Sequence, residues 1–301
     1  MRRPPAFLVL WIVSARSAWC LAEDCFVEGI GFPAPATRPA LGAGPLSVHL
    51  EDLNGDGKPD ILTANQFSDD VSVVLGTEVG AFREQERYAV GGSPQALAVA
   101  DLNGDGLRDL ATANSGSGDV SILFGNGDGT FLEQITFPAG AEPYSIVAGD
   151  LNDDGSGDLV TANSGSDDLS VILGSGDGTF EKERRFAVGA DPQAILAADL
   201  NGDGQLDVAA AHSGITEYVS VLLGNGDGTF QEERRFSAGT GPGSIASGDL
   251  DGDGRLDLAI ANAVSRDLSL FFGNGDGTFR DQERLGTAAR PFSIVAEDLA
   301  W

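Results

Sequence analysis

The chain has 301 residues, with 46 Asp and Glu against 18 Lys and Arg, giving a net charge of −28. That balance argues against nucleic acid and against anionic membrane surfaces as partners, because both repel a strongly acidic protein. Two cysteines in the whole sequence offer no disulfide framework.

Residues 1–22 read as a secretory signal. Arg2 and Arg3 give the positive start, Ala6 to Val13 the apolar run, and Cys20-Leu21-Ala22 a small-residue cleavage site. The apolar run is too short to span a bilayer and no later stretch is long enough, so no transmembrane segment is expected in the mature chain. Cys20 and Cys25 follow Trp19 and Asp24, poor residues before a lipidated cysteine. Cleavage after Ala22 would leave Cys25 as the single thiol.

Residues 23–44 look irregular, but Phe26 and Phe32 lie six apart. The spacing returns at Phe82/Tyr88, Phe131/Phe137, Phe180/Phe186, Phe230/Phe236 and Phe279/Leu285. An even spacing on a strand keeps both rings on one face. Residues 26–34 are therefore expected to be the last strand of a repeat.

From residue 45 onward one sentence is repeated. Its clearest form is Asp101-Leu102-Asn103-Gly104-Asp105-Gly106-Leu107-Arg108-Asp109, and it recurs at Asp52, Asp150, Asp199 and Asp249, breaking off after Asp298-Leu299. The steps are 49, 49, 49, 50 and 49 residues. Oxygen-bearing side chains stand at positions 1, 3, 5 and 9, and the glycine at position 6 permits the reversal that returns the last aspartate to the others. Crowded carboxylates repel one another without a counter-charge, and hard oxygen donors in number suit calcium. An EF-hand needs a bidentate glutamate at position 12, where this chain has Thr63, Thr112, Thr161, Ala210 and Ile260. Thrombospondin-type repeats and nonapeptide calcium repeats are excluded by the long period.

Each full repeat reads as four short strands, in the second copy about Gln95–Ala100, Asp109–Asn114, Val120–Phe124 and Thr130–Ala139. The first is small and apolar, as in a strand buried on both faces. The fourth carries charges of both signs, suiting an exposed edge. The acidic loop joins strands one and two, Ser115–Asp119 joins two and three, Asn126-Gly127-Asp128-Gly129 joins three and four, and a Gly-x-x-Pro turn leads onward. Four antiparallel strands at this period predict an all-β chain, a β-propeller of four-stranded blades at about 45–91, 94–140, 143–189, 192–239 and 242–288. A partial strand over 291–299 would follow. Five complete repeats with partial terminal strands predict an open ring or a piece of a larger one.

With these elements in place, the chain resembles the FG-GAP/VCBS repeat proteins, calcium-binding propellers related to the head of integrin α chains. The resemblance rests on Asp-x-Asn/Asp-x-Asp-Gly-x-x-Asp, on Leu/Phe-Gly-Asn-Gly-Asp-Gly-Thr-Phe (Phe124–Phe131, Phe272–Phe279) and on Gly-x-x-Pro, across residues 45–298. It implies about one Ca2+ per complete repeat. The first loop's ligands would be Asp52, Asn54, Asp56, Asp60 and the Lys58 carbonyl. The second would use Asp101, Asn103, Asp105, Asp109 and Leu107, and the third Asp150, Asn152, Asp154, Asp158 and Ser156. The fourth would use Asp199, Asn201, Asp203, Asp207 and Gln205, and the fifth Asp249, Asp251, Asp253, Asp257 and Arg255. Asp153 replaces glycine at position 4 of the third loop, where the backbone is less free to turn. The sixth loop has Ala300 and Trp301 after Asp298 and is not expected to bind metal. At about 1 mM calcium and a Kd of roughly 10⁻⁴ to 10⁻³ M, each site would add about 0.4 to 1.4 kcal/mol.

No catalytic constellation is expected. His49 lies where other copies have Ala98, Val147, Leu196 and Ala246, which suits packing. His212 stands where they have Asn65, Asn114, Asn163 and Asn262, which suits the same turn. No Gly-x-Ser-x-Gly elbow occurs, and Cys25 has no histidine nearby in sequence. Acidic loops and Asn-Gly-Asp-Gly hairpins fall at one end of each blade, leaving the other face for a partner. Tyr144 and Tyr218 are the contact candidates there, with ordinary packing as the alternative. Trp11, Trp19 and Trp301 lie in the signal or at the end, which gives little support for a sugar-stacking platform. The expectation is an exported adhesion or protein-interaction scaffold, secreted, periplasmic or at the cell surface, with an extracellular protein or glycan as partner. The alternative is the non-catalytic propeller part of a secreted polysaccharide lyase or hydrolase, or a truncated fragment.

Overall fold

The computed structural model describes residues 41–78, 81–214 and 217–296. The signal segment, the strand expected over 26–34, both cysteines, the three tryptophans and the sixth loop from Asp298 lie outside the described residues. Within them every regular element is a β-strand.

Five four-stranded antiparallel sheets follow one another as the blades of a β-propeller. The first sheet orders β1 (Pro45–Glu51), β2 (Asp60–Asn65), β3 (Asp70–Val74) and β6 (Glu86–Ala89), with a small hairpin of β4 (Gly76–Glu78) and β5 (Ala81–Phe82) between the last two. The second uses β7 (Pro94–Ala100), β8 (Asp109–Asn114), β9 (Asp119–Leu123) and β10 (Ile135–Pro138). The third uses β11 (Pro143–Gly149), β12 (Asp158–Asn163), β13 (Asp168–Ile172) and β14 (Arg184–Ala187). The fourth has β15 (Pro192–Ala198), β16 (Asp207–His212), β17 (Tyr218–Leu222) and β18 (Arg234–Ser237). The fifth has β19 (Pro242–Gly248), β20 (Asp257–Asn262), β21 (Asp267–Phe271) and β22 (Glu283–Gly286). Consecutive strands pair within each sheet, as short connections dictate.

The second and third strands are the buried ones, and their β-branched and leucine side chains fill the seams between sheets. One seam gathers Leu62 and Val73 with Leu97 and Leu110, and another gathers Val160 and Val171 with Ile195 and Val208. The outer strands alternate exposed charge with half-buried aromatics, Arg184-Arg185-Phe186 being typical, which blunts an edge against pairing with other molecules.

Two expectations from the sequence need correction. The fourth strand of the second sheet begins at Ile135, not Thr130. Phe131 instead bridges back to Gly125, closing a loop in which the Asp128 carboxylate accepts the Thr130 N–H (2.9 Å) and hydroxyl (2.6 Å). That break also reverses the aromatic pairing. Rings six residues apart do not share a face; they serve opposite seams. Tyr88 meets Phe131, Phe137 meets Phe180, Phe186 meets Phe230 and Phe236 meets Phe279, each edge to face with centroids 5.1–5.4 Å apart.

Among the described residues no seam covers one side of the first sheet. Val48 is 67% exposed, whereas its counterparts Leu97, Ile146 and Ile195 are 7%, 5% and 6% exposed. Beyond the fifth sheet, residues 291–296 contain no regular strand, yet Ile294 is buried against Ala259, Ala261 and Leu268. The described residues thus form an open array.

Candidate metal centres

The acidic loops join the first two strands of every sheet, so all five lie at the same end of the array. Their position-9 aspartates are the first residues of β2, β8, β12, β16 and β20 and are fully buried. Each carboxylate accepts two backbone N–H groups. Asp60 takes those of Leu53 (2.9 Å) and Gly76 (2.8 Å), and Asp158 those of Leu151 and Gly174, both at 2.8 Å. Asp109, Asp207 and Asp257 repeat the pattern with Leu102 and Gly125, Leu200 and Gly224, and Leu250 and Gly273. This residue therefore pins the acidic loop to the end of the third strand. Sequence spacing offered it as a candidate ligand and gave no sign of this anchoring.

Burial pushes the Asp158 and Asp207 carboxyls up to about 6, and raises those of Asp109 and Asp257. Neighbouring loop aspartates add to the effect, while the two N–H donors oppose it. Four carboxylates thus stand where a positive counter-charge would favour their ionised form.

The remaining donors hold the loop in nested side-chain turns. Asp101 accepts the N–H groups of Gly104 (2.7 Å) and Gly106 (2.8 Å), Asn103 that of Asp105 (3.0 Å), and Asp105 that of Leu107 (2.8 Å). The position-6 contact recurs at Asp52, Asp150, Asp199 and Asp249, while in the first and third loops the N–H of Asp56 and of Asp154 replaces the position-4 donor. In the third loop Asp153 has φ +57° in the position glycine holds elsewhere. Aspartate tolerates this left-handed conformation better than most side chains.

The fifth loop differs. Asp251 replaces asparagine at position 3, and carboxylate oxygens of Asp249, Asp251 and Asp257 lie within 4.8 Å of one another. Arg280 pairs with Asp251, and its guanidinium sits 4.8 Å from the centroid of the Phe272 ring. Nothing in the sequence spacing marked Arg280. The donors in all five loops are carboxylate, amide and backbone oxygens, a set that fits a hard divalent cation. Positions 1, 3, 5 and 9 would hold it, with the carbonyls of Lys58, Leu107, Ser156, Gln205 and Arg255 at position 7.

At the opposite end, Tyr144 is 39% exposed and Tyr218 only 7%. Tyr218 is therefore a packing residue rather than a contact residue. Its ring stacks on His212 with centroids 4.6 Å apart. His212 is fully buried, and His49 lies half-exposed, 3.8 Å from Glu51.

The FG-GAP-like repeat profile matches the chain five times in overlapping windows, residues 52–112, 101–161, 150–210, 199–260 and 249–300. No curated protein matches the sequence. Among solved structures, a putative 6-phosphogluconolactonase from Bacteroides fragilis is similar at 16% identity, covering 86% of this chain and 74% of its own, with a TM-score of 0.67. A periplasmic gluconolactonase from Pseudomonas aeruginosa matches at 15% identity over 85% and 74%, with a TM-score of 0.66. A protein of unknown function from Desulfotomaculum acetoxidans matches at 14% identity over 84% and 74%, with a TM-score of 0.62. At these identities the likeness is one of fold.

Proposed function

Since the chain belongs to the FG-GAP-like repeat family, we propose that it is an exported calcium-binding propeller that serves as a protein-interaction or adhesion scaffold. The observation that carries this reading is the fivefold oxygen-donor loop with a buried carboxylate at each ninth position, burial disfavouring the charge of Asp109, Asp158, Asp207 and Asp257. Bound calcium would supply the opposing charge. The side chains at positions 1, 3 and 5 orient the donors through the turns described above, and position 9 ties each site into the sheet. Calcium in this reading is structural: it stiffens one end of the array so that the other end presents its turns in fixed relation. An extracellular protein or glycan would dock there, with Tyr144 as an exposed aromatic contact.

No catalytic role is assigned. His212 is sealed in a seam, His49 faces Glu51 beside the first loop, and the acids gathered at one end already serve the loops. At 15–16% identity the gluconolactonase likeness is one of fold alone. Among the described residues no helix is long and apolar enough to cross a membrane. Equilibrium dialysis of the exported protein against ⁴⁵Ca should find about five ions per chain, with thermal stability falling on chelation. Absence of stoichiometric calcium at millimolar free ion would overturn the reading.

A further inference from the structure

At the end away from the acidic loops, one hydrogen-bond set recurs where each sheet meets the linker that enters it. In the second sheet Asn114 Nδ2 donates to Asp119 Oδ1 and Ser121 Oγ, both at 2.8 Å. Ser121 donates to Gln134 Oε1 (2.6 Å), and the linker N–H of Gly91 donates to Ser121 Oγ (3.0 Å). Thr112 completes it by donating to Asn114 Oδ1 at 2.9 Å. The asparagine at its centre recurs as Asn65, Asn163 and Asn262, each donating to the matching serine. An amide takes up no proton at ordinary pH.

Against the second sheet, the fourth rewrites the set at four positions. Ala210 replaces the threonine and Glu233 the glutamine, changes with parallels in Ile260 of the fifth sheet and Glu183 of the third, while His212 for the asparagine and Tyr218 for the aspartate belong to the fourth alone. His212 Nε2 lies 2.7 Å from Ser220 Oγ, and Ser220 also bonds the Glu233 carboxylate. The linker N–H of Gly189 now donates to Glu233 itself, at 3.2 Å. A serine hydroxyl has one proton. Since it goes to the carboxylate, Nε2 must carry hydrogen and donate to Ser220, as the asparagine amide does elsewhere. Nδ1 is then left with a lone pair, 3.3 Å from the Ala190 carbonyl oxygen. The threonine that would have donated here is alanine. Space is equally committed: a Cβ on Gly189 would fall 1.0 Å from the Tyr218 hydroxyl.

We propose that His212 makes the junction between the third and fourth sheets acid-sensitive. A proton arriving at Nδ1 creates a buried positive charge in the one seam whose hydrogen-bond set is built on an imidazole. The charged groups around it divide. Glu233 favours the charge, and Arg235, bound to Glu233 at 2.8 and 2.6 Å and lying 4.9 Å from the Tyr218 ring centroid, opposes it. Asp167, at the β12–β13 turn of the third sheet, acts on the neighbouring Tyr218. Burial is the largest influence and holds the imidazole below its usual 6.5, with Glu233 and the Ala190 and Gly189 backbone pulling the other way. The folded chain therefore keeps His212 neutral where the unfolded chain is protonated. The contribution to stability is complete above about pH 6.5 and is lost as pH falls towards the folded-state value.

The test is urea unfolding of the full chain from pH 8 to pH 5, comparing wild type with His212→Asn and with His49→Asn as a control. One linked proton changes the unfolding equilibrium by up to about tenfold per pH unit. Below pH 6.5 the wild type should lose stability relative to His212→Asn on that scale, while His49→Asn follows the wild type. A wild-type-to-His212→Asn difference that stays constant with pH would overturn the proposal. Should His212→Asn fail to fold, the His212 ring resonances of the wild type decide it. A titration midpoint below 6.5 supports the proposal and one at or above 6.5 overturns it.

Discussion

Tyr88 and Phe131 belong to neighbouring sheets, and their rings meet edge to face with centroids 5.4 Å apart and planes at 81°. Contacts of this kind recur at each successive seam, so the repeat is stitched by pairs that straddle its boundary.

Phe131 is buried, and Phe131→Ala should cost about 3 kcal/mol in urea unfolding. A double-mutant cycle with Tyr88→Leu and Phe131→Leu should return a coupling of about 1 kcal/mol. A coupling indistinguishable from zero would mean that the rings merely fill space.

Asp154 and Asp158 separate two duties within one loop. Asp158→Asn would turn an amide N–H2 towards a backbone N–H of Leu151 or Gly174, and should cost about 2 kcal/mol even in chelator. Asp154 is exposed and accepts the Ser156 N–H at 2.8 Å, a bond that asparagine can keep. Asp154→Asn should leave the chelated protein within about 0.5 kcal/mol of wild type and lose one calcium equivalent in dialysis.

Asp128 is held below the usual carboxylate range, first by the Thr130 hydroxyl and then by the Thr130 N–H. A depressed carboxylate supports the fold above its unfolded-state value, and that support goes as pH falls through the folded-state value. Thr130→Val removes the stronger partner. The Asp128 titration, followed by NMR, should move up towards the ordinary value, and the stability lost on the acid side should become smaller.

Arg280 competes with any cation for Asp251. Arg280→Leu should tighten calcium binding at a single site by about three- to tenfold at low salt, since it removes one positive charge beside the loop, and the effect should fade as salt is raised. Calorimetric titration would resolve it as one tighter class among the sites. Unchanged affinity would show that the pair does not obstruct the loop.

The period, the four-strand unit and the acidic loops were legible because each is written locally: turn residues at fixed offsets and alternation between them. What escaped was written across the boundary between repeats. The even spacing of Phe131 and Phe137 suggested one face, but Leu132–Gln134 break the strand and send the two rings to opposite seams. Tyr218 read as a surface aromatic because its burial depends on Gly189 in the preceding linker. Phe67 makes the same point. In the first and fifth sheets the β2–β3 and β20–β21 turns carry Phe67 and Val264 against Gly44 and Gly241 of the linker. The middle sheets reverse the assignment, setting Gly116 and Gly165 against Ser93 and Glu142. The exchange is plain once the contact is known and carries no periodic signal beforehand.

The uncovered side of Val48 has a consequence for how the array comes apart. Modules that touch only their neighbours behave as a one-dimensional lattice, and an interior member must surrender two interfaces to melt. Among the described residues the first sheet surrenders one. Fraying should start there, so hydrogen exchange in β1 and β2 should run ahead of β12 and β13.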